Sequence, residues 1–363
     1  MKLIIAGGGT GGHVFPAVCI AEEFIRSVSD SDVVFVGAVS GIENRIIPEL
    51  GFRLLSLNVG GLRGKKIVER LRNIKDAFIA VKNSFSILQK EKPDAVLGVG
   101  GYASGPLILS ARIMKCPTAI HEQNSIPGLT NKILGKFVDR VFLSFEEAGK
   151  FFKKEKAVFS GMPVRKSVIG TDSIENKNNK FTVLVIGGSQ GARGLNRVFA
   201  EMTKSNWMRD NLKIIHQTGQ HDFNEIKQLY HNEKIDAEVF DFIKNMGWAY
   251  SVANLVIARA GASTLAELSA TCKPSILIPY PYAAGDHQRM NADAFVKAGA
   301  AEVILEKELT PAFLEKRIKA LADAPGMLEK MSRGARSLYK RDAANKIVEG
   351  IIGLIKDRGK IVV

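Results

Sequence analysis

The stretch 6-AGGGTGGHVFPAV-18 follows the apolar run Leu3-Ile4-Ile5 and places five glycines in the six positions before His13. A strand that enters a glycine-rich turn and then a helix opens a doubly wound α/β domain, and the helix N-terminus beyond the turn suits a phosphate. Gly7, Gly9 and Gly12 fit G-x-G-x-x-G. A dinucleotide site also needs an acidic residue at the end of the second strand, to hold the ribose. Here that strand ends Val36-Gly37-Ala38-Val39-Ser40, with no carboxylate before Glu43, which disfavours a dehydrogenase. The P-loop pattern also fails, because His13 stands where it requires lysine.

The same unit returns later as 187-GGSQGARGLN-196. Short apolar runs around the two turns read as strands: 2–6, 33–37, 95–99, 118–122 and 140–144 in the first half, and 181–187, 212–217, 237–242, 255–259 and 275–280 in the second. Helical stretches alternate with them, which predicts parallel sheets covered on both faces. The expected fold class is α/β, two Rossmann-like doubly wound domains facing across a cleft, with ligands at the carboxyl ends of the strands. We place an N-terminal domain at 1–161 and a C-terminal domain at 162–340, with an amphipathic helix within 341–363 that could pack back on the first. The polar stretch 170–180 reads as a surface loop near the boundary.

The chain has 363 residues, 46% hydrophobic and 24% charged, enough for two soluble domains with full cores. It has no run of 18 apolar residues and no basic, cleavable leader, so neither a membrane span nor a signal peptide is expected. Three scattered cysteines make neither a zinc pattern nor a disulfide framework, which fits a reducing cytosol. The net charge of +14 favours anionic lipid or phosphorylated substrates; without a nucleic-acid motif, nucleic acid is not expected as a partner.

Several segments carry two readings. Gly187-Gly188-Ser189-Gln190-Gly191 matches the G-x-S-x-G elbow of hydrolases, for which Asp241 and His287 could complete a triad. Alternatively Ser189 and the N–H groups after it hold a phosphate. In 258-ARAGASTLAELSA-270 a strand passes through a small-residue turn into a helix whose N–H groups at Ala262, Ser263 and Thr264 suit a diphosphate. Glu267, one turn in, could accept both hydroxyls of a ribose, or could be a first-turn acid on an ordinary helix. Two loops, 121-HEQN-124 and 286-DHQRMN-291, are dense in groups that hydrogen-bond to sugar hydroxyls. Asp30-Ser31-Asp32 has the D-x-D form of a metal site but precedes a strand, at the wrong end of a sheet. No metal or cofactor is expected.

The segments GGGTGGHVFPA, GLRGK, GVGGYASGP, HEQNSIPGLTNK, GGSQGARGLN, RAGASTLAE and DHQRMNA, in that order, resemble the peptidoglycan N-acetylglucosaminyltransferases of glycosyltransferase family 28. The resemblance implies a GT-B fold and an inverting, metal-independent transfer of GlcNAc from UDP-GlcNAc. The acceptor it implies is the C4 hydroxyl of MurNAc in lipid I, an undecaprenyl diphosphate; the product would be lipid II. It implies a peripheral enzyme at the cytoplasmic face of the membrane, with other cell-wall synthesis proteins as further candidate partners.

It also implies donor-site roles. Thr10, Gly11 and Gly12 match the first glycine loop, Asn124 the asparagine of HEQN, and Arg165 a basic residue that meets the nucleotide diphosphate. Ser189 matches the second loop, Ile243 a residue whose backbone reads uracil, and Gln288 a sugar contact. Ala262, Ser263, Thr264, Leu265, Ala266 and Glu267 match the helix start that binds diphosphate and ribose. One departure is Gly161-Met162-Pro163, where the family usually has asparagine in the middle, and it weakens the carry-over to Arg165.

A histidine in place of the P-loop lysine then acquires a use. A neutral imidazole can take a proton from the acceptor hydroxyl, whereas lysine would already be protonated. His13 is the candidate general base, Glu122 and His121 are its rivals, and a plain hydrogen bond from His13 to a phosphate is the other reading. The segment 63–92 carries nine Lys/Arg against three Asp/Glu. Its stripe Ile67, Leu71, Ile74, Phe78, Val81, Phe85 and Leu88 predicts a core-facing helix side. Val68, Ile79 and Ile87, with Lys65, Lys66, Arg72 and Lys75, could rest on an anionic leaflet. A UDP-GlcNAc 2-epimerase, a serine hydrolase and a non-catalytic UDP-sugar sensor remain open alternatives at this point.

Overall fold

The computed structural model describes residues 1–59, 67–169, 180–188 and 191–359, with side chains from 78 onward in the helix Ile67–Glu91. The chain divides into two compact units. The first is Met1–Pro163 joined by the segment from Lys340, and the second is Val164–Tyr339. The division falls two residues after the boundary expected at 161, and most of the polar stretch 170–180 lies outside the described residues.

Strands β1 (Lys2–Ala6), β2 (Asp32–Ala38), β3 (Arg53–Leu57), β4 (Ala95–Gly98), β5 (Thr118–Glu122), β6 (Arg140–Leu143) and β7 (Ala157–Phe159) belong to the first unit. They pair in the order β3-β2-β1-β4-β5-β6-β7, all parallel. The second unit holds β8 (Phe181–Ile186), β9 (Leu212–Gln217), β10 (Ala237–Phe240), β11 (Leu255–Ala258), β12 (Ser275–Leu277) and β13 (Ala301–Val303). Their order is β10-β9-β8-β11-β12-β13, again parallel. In each sheet the order reverses beside the first strand, between β1 and β4 and between β8 and β11. The loops leaving those strands flank the crevice where open α/β sheets bind ligands.

Alternation along each strand supplies two faces. Leu3, Ile5, Val33, Phe35 and Leu97 face the helix Gly11–Ser27, which contributes Val14, Val18 and Phe24. Ile4, Ala6, Val34, Val36 and Val96 face the helix Ser104–Ile113 through Leu107 and Ile108. Each such side chain contributes about 1.5–3 kcal/mol on burial. Strands buried on both faces read as unbroken apolar runs, and the sequence reveals these together with the half-buried edge strand β10. The strands it does not reveal, β3, β7 and β13, are short, half-buried sheet edges. Asp32 begins β2 at the amino end of the sheet and pairs with Lys2 at 3.0 Å, so the D-x-D sequence serves the fold.

The helix Ile67–Glu91 departs from its expected face. Phe78, expected in the core, is 74% exposed; Leu88 is buried as expected, and Ala80, Ser84 and Glu91, outside the stripe, are buried with it. The neighbouring helix Ser104–Ile113 explains the rotation. Small residues at 80 and 84 allow close approach, and Ser110 donates to the Val81 carbonyl at 3.3 Å. Glu91 is held by Lys2 at 3.0 Å and Arg53 at 2.7 Å. Of the residues expected off the stripe, Ile79 is exposed and Ile87 packs against the core. Lys65 and Lys66, and the side chains of Ile67, Val68, Leu71, Arg72, Ile74 and Lys75, lie outside the described residues.

The C-terminal helix Ala343–Gly359 completes the first unit by packing on the helix Gly11–Ser27 and inserting Ile347, Val348 and Ile351 into the core. Gly350 lets it lie against Phe142: a Cβ there would stand 2.6 Å from the ring. Ile351→Ala is therefore expected to destabilise the first unit by about 2–5 kcal/mol, and Gly350→Ala by about 1–3 kcal/mol through overpacking. Urea unfolding of the full chain checks both.

Candidate functional site

At the reversal in the first sheet, the loop after β1 meets the loop after β4. Ser104 ties them: its Oγ lies 2.6 Å from the Ala6 carbonyl and 2.8 Å from the Gly100 carbonyl, the two acceptors for its one proton, and accepts the Gly100 N–H at 3.1 Å. His13 stands in the first turn of the helix Gly11–Ser27, whose N-cap is Thr10. Its Nδ1 lies 3.0 Å from the Gly8 carbonyl and 3.3 Å from Thr10 Oγ1. A carbonyl has no proton to give, so Nδ1 carries a proton, and in the neutral ring Nε2 is the basic nitrogen. Nε2 lies 2.9 Å from where a Cβ on Gly100 would stand, so that loop needs glycine to admit the ring. Gly11 is buried and Gly12 half-buried in the same turn.

Beneath this loop lies a carboxylate that sequence reading passed over. Glu43 is 1% exposed. It accepts the Gly9 N–H at 2.8 Å and the Ala38 N–H at 3.0 Å. A Cβ on Gly8, Gly37 or Gly41 would collide with its side chain. The acid sought for a ribose at the end of β2 is thus present a few residues on, but turned inward and covered. The glycines at 37 and 41 around a lone glutamate were the available signal.

The two rival bases are also enclosed. Glu122 is 1% exposed and accepts from Asn124 N–H at 2.9 Å, Asn131 Nδ2 at 2.8 Å and Gly128 N–H at 3.3 Å. Burial raises its proton affinity, and these donors oppose the shift. This geometry shapes the loop 123–128, including Asn124, whose side chain lies 3.4 Å from the carboxylate. His121 is fully buried between Gln123 at 3.2 Å and Ser144 at 3.0 Å, and burial lowers its pKa to about 3. Met162, where the family usually has asparagine, accepts from the same Ser144 hydroxyl through Sδ at 3.2 Å.

In the second unit the corresponding reversal gathers the donor-type residues. The helix Ala262–Ala270 begins at Gly261 without a side-chain cap, and first-turn N–H groups have no partner within the helix. Ser263, Thr264 and Ala266 are half-buried. Ala262 and Leu265 are buried, and the Leu265 N–H closes the first turn on the Gly261 carbonyl at 3.0 Å. Glu267 accepts from Arg165 at 2.7 Å and from Tyr250 Oη at 3.1 Å. Burial, then the charge of Glu267, pushes the Tyr250 hydroxyl well above its ordinary pKa, so it remains a donor. Arg165 and Glu267, predicted from separate segments, are therefore one ion pair, and Tyr250 is an addition.

Ile243 is buried, and its N–H already donates to Gln217 Oε1 at 2.9 Å. Gln217 Nε2 in turn donates to the Gly188 carbonyl at 3.0 Å, joining the second glycine loop to the Ile243 backbone. Gln288 accepts the Tyr280 N–H at 2.9 Å at the start of the helix His287–Lys297. Ser189 lies outside the described residues. The triad alternative loses support here. The described bond of His287 Nδ1 runs to the Ala284 carbonyl at 2.9 Å, and Asp241 accepts from the Phe242 N–H at 2.7 Å.

Residues 3–143 match the N-terminal domain of glycosyltransferase family 28, and residues 182–347 match its C-terminal domain. A relative from Syntrophus aciditrophicus is 45% identical over 98% of this chain and 99% of its own. One from Geobacter metallireducens is 44% identical over 96% and 97%. Both are named UDP-N-acetylglucosamine--N-acetylmuramyl-(pentapeptide) pyrophosphoryl-undecaprenol N-acetylglucosamine transferase. Among solved structures, Acinetobacter baumannii MurG is 28% identical, covers 97% of this chain and 99% of its own, and superposes with a TM-score of 0.77.

The buried histidines set an acid limit. His216 is fully buried between Tyr230 at 2.9 Å and Asn196 at 3.1 Å, and burial lowers its pKa to about 3. A histidine held neutral in the fold binds fewer protons than in the unfolded chain, so stability falls as pH drops below about 6.5. Each of His121 and His216 should remove about 2 kcal/mol between pH 7 and pH 5. Urea titrations at both pH values should show His216→Gln losing about 2 kcal/mol less over that interval than the parent chain.

Proposed function

The chain belongs to glycosyltransferase family 28, and on that premise we propose that it transfers GlcNAc from UDP-GlcNAc to the C4 hydroxyl of MurNAc in lipid I, making lipid II. The observation that carries the chemistry is the His13 imidazole, fixed by its Nδ1–H bond to Gly8 at the reversal of the first sheet. In an inverting transfer the acceptor oxygen bonds to C1 of GlcNAc as the C1–O bond to UDP breaks. His13 Nε2 takes the hydroxyl proton. Glu122, covered and fully engaged in its loop, has a shaping role in this reading.

The departing UDP leaves with negative charge. Arg165 and the start of the helix Ala262–Ala270 supply positive charge and N–H groups for it, and Ser189 has the same role by its match to the family's second glycine loop. Glu267, oriented by Arg165 and Tyr250, is suited to ribose hydroxyls. Ile243 offers its backbone to uracil with Gln217 as a competitor for its N–H, and Gln288 contacts the sugar. Thr10, Gly11, Gly12 and Asn124 complete the donor contacts.

We further propose that the first unit rests on the anionic cytoplasmic face of a membrane. No described helix is long and apolar enough to cross one. Exposed Leu109 and Ile113 lie one turn apart on a helix that neighbours the one bearing exposed Leu129 and Ile133. Phe137 follows, and Phe78 and Ile79 are exposed on the other adjoining helix. Lys132 and Lys136 stand among them. Apolar groups interleaved with lysines suit an anionic leaflet.

Labelled GlcNAc should pass from UDP-GlcNAc to a short-chain lipid I analogue without added metal, and His13→Ala should slow it by about 10²–10⁴-fold. Equal rates would remove His13 as base; UDP-GlcNAc binding without transfer would move the chain to an epimerase or a sensor. In sedimentation with phosphatidylglycerol vesicles, Lys132→Gln with Lys136→Gln should weaken binding by about 2 kcal/mol, roughly thirtyfold. Unchanged binding would contradict the docking surface.

A further inference from the structure

The Gly8–Gly9 peptide group is bonded at both ends. Its carbonyl accepts His13 Nδ1–H at 3.0 Å, and its N–H donates to Glu43 Oε2 at 2.8 Å. We propose that Glu43 acts through this peptide as the positioning acid of His13: a carboxylate–peptide–imidazole relay that raises the proton affinity of Nε2. The proposal rests on the reading of His13 as general base.

Three observations carry it. Glu43 is enclosed at 1% exposure, where charge interacts more strongly than at the surface. Its slot is lined by Gly8, Gly37 and Gly41, where any Cβ would collide with it. Its other oxygen is held by the Ala38 N–H at 3.0 Å, which fixes the carboxylate beneath the loop. A negative charge on the N–H side of a peptide polarises it and makes its carbonyl a better acceptor. The imidazolium formed when Nε2 takes a proton is then stabilised through Nδ1–H. This is the function of the acid in a catalytic triad, with one peptide group interposed. Glu43 touches no reacting atom, so its part is orientation and tuning.

The described titratable neighbours of this assembly are few in kind. His121 senses His13, and its pKa of about 3 leaves it uncharged where the enzyme would work. Glu43 is the carboxylate in the chain of bonds. The same bonds carry a corollary for the loop: the Gly9 N–H faces a carboxylate, so a diphosphate would have to bind elsewhere in the turn.

Glu43→Gln keeps the shape but removes the charge and presents a donor to one of the two N–H groups. The test measures the pH dependence of kcat/KM and the NMR titration of His13 in the full chain. The His13 pKa should fall by about one pH unit. The acid limb of kcat/KM should move down equally, and the plateau should drop about threefold for a weaker base. UDP-GlcNAc binding should hold. If Glu43→Gln does not fold, Glu43→Asp, which withdraws the carboxylate, should give a smaller shift of the same sign. Identical His13 titration in a folded variant overturns the relay, and so does lost activity with an unmoved pH profile. A shifted titration in a chain whose His13→Ala variant still transfers at the full rate supports the relay and removes the base reading.

Discussion

The first unit depends on one close approach: a carboxylate and an imidazole on opposite sides of a single peptide group. Glu43 fits beneath the loop only because residues 8, 37 and 41 have no side chain, and His13 fits above it only because residue 100 has none. The glycine-rich turn is therefore not an open phosphate cradle. Part of its backbone is already engaged with the chain's own acid, and the remainder orients a histidine. That difference from a P-loop follows from the replacement of lysine by histidine at position 13 and from the inward course of residues 37–43.

The second unit uses the same architecture for a different task. Its sheet reverses at β8 and β11, and the helix after β11 has a glycine, which offers no side-chain cap, at its N-cap. Arg165 and Tyr250 converge on Glu267, and Gln217 links the second glycine loop to Ile243. The first unit holds an imidazole by Nδ1 at its glycine turn, and the second draws an arginine, a tyrosine and a glutamate together beside a helix start. The division suits a reaction in which one substrate must lose a proton and the other must lose a diphosphate.

Much of the fold was legible because a parallel sheet covered on both faces writes itself as apolar runs such as 3-LII-5 and 183-VLVI-186. Of the edge strands only β10 was legible; β3, β7 and β13, whose residues are mostly half-buried or exposed, were not read as strands. The helix Ile67–Glu91 misled for a related reason: periodicity marks apolar positions, but Ala80 and Ser84 were chosen by helix–helix contact and left Phe78 outside. At the site, His13 stood out as an unusual residue in a recognisable turn, Glu267 as an acid one turn into a helix, and Arg165 only through the family resemblance; the Arg165–Glu267 pairing was not legible. Glu43, Gln217 and Tyr250 act through long-range contacts, and their sequence surroundings resemble ordinary solvent-exposed or core positions.

The most direct test is the tautomer of His13 at neutral pH, read from long-range proton–nitrogen NMR of the imidazole in uniformly ¹⁵N-labelled chain and assigned by His13→Gln. The predicted result is a protonated, pyrrole-like Nδ1 and an unprotonated Nε2, as the Gly8 carbonyl requires. A protonated Nε2 with a bare Nδ1, or an imidazolium at pH 7.5, would contradict a base held ready by the glycine loop.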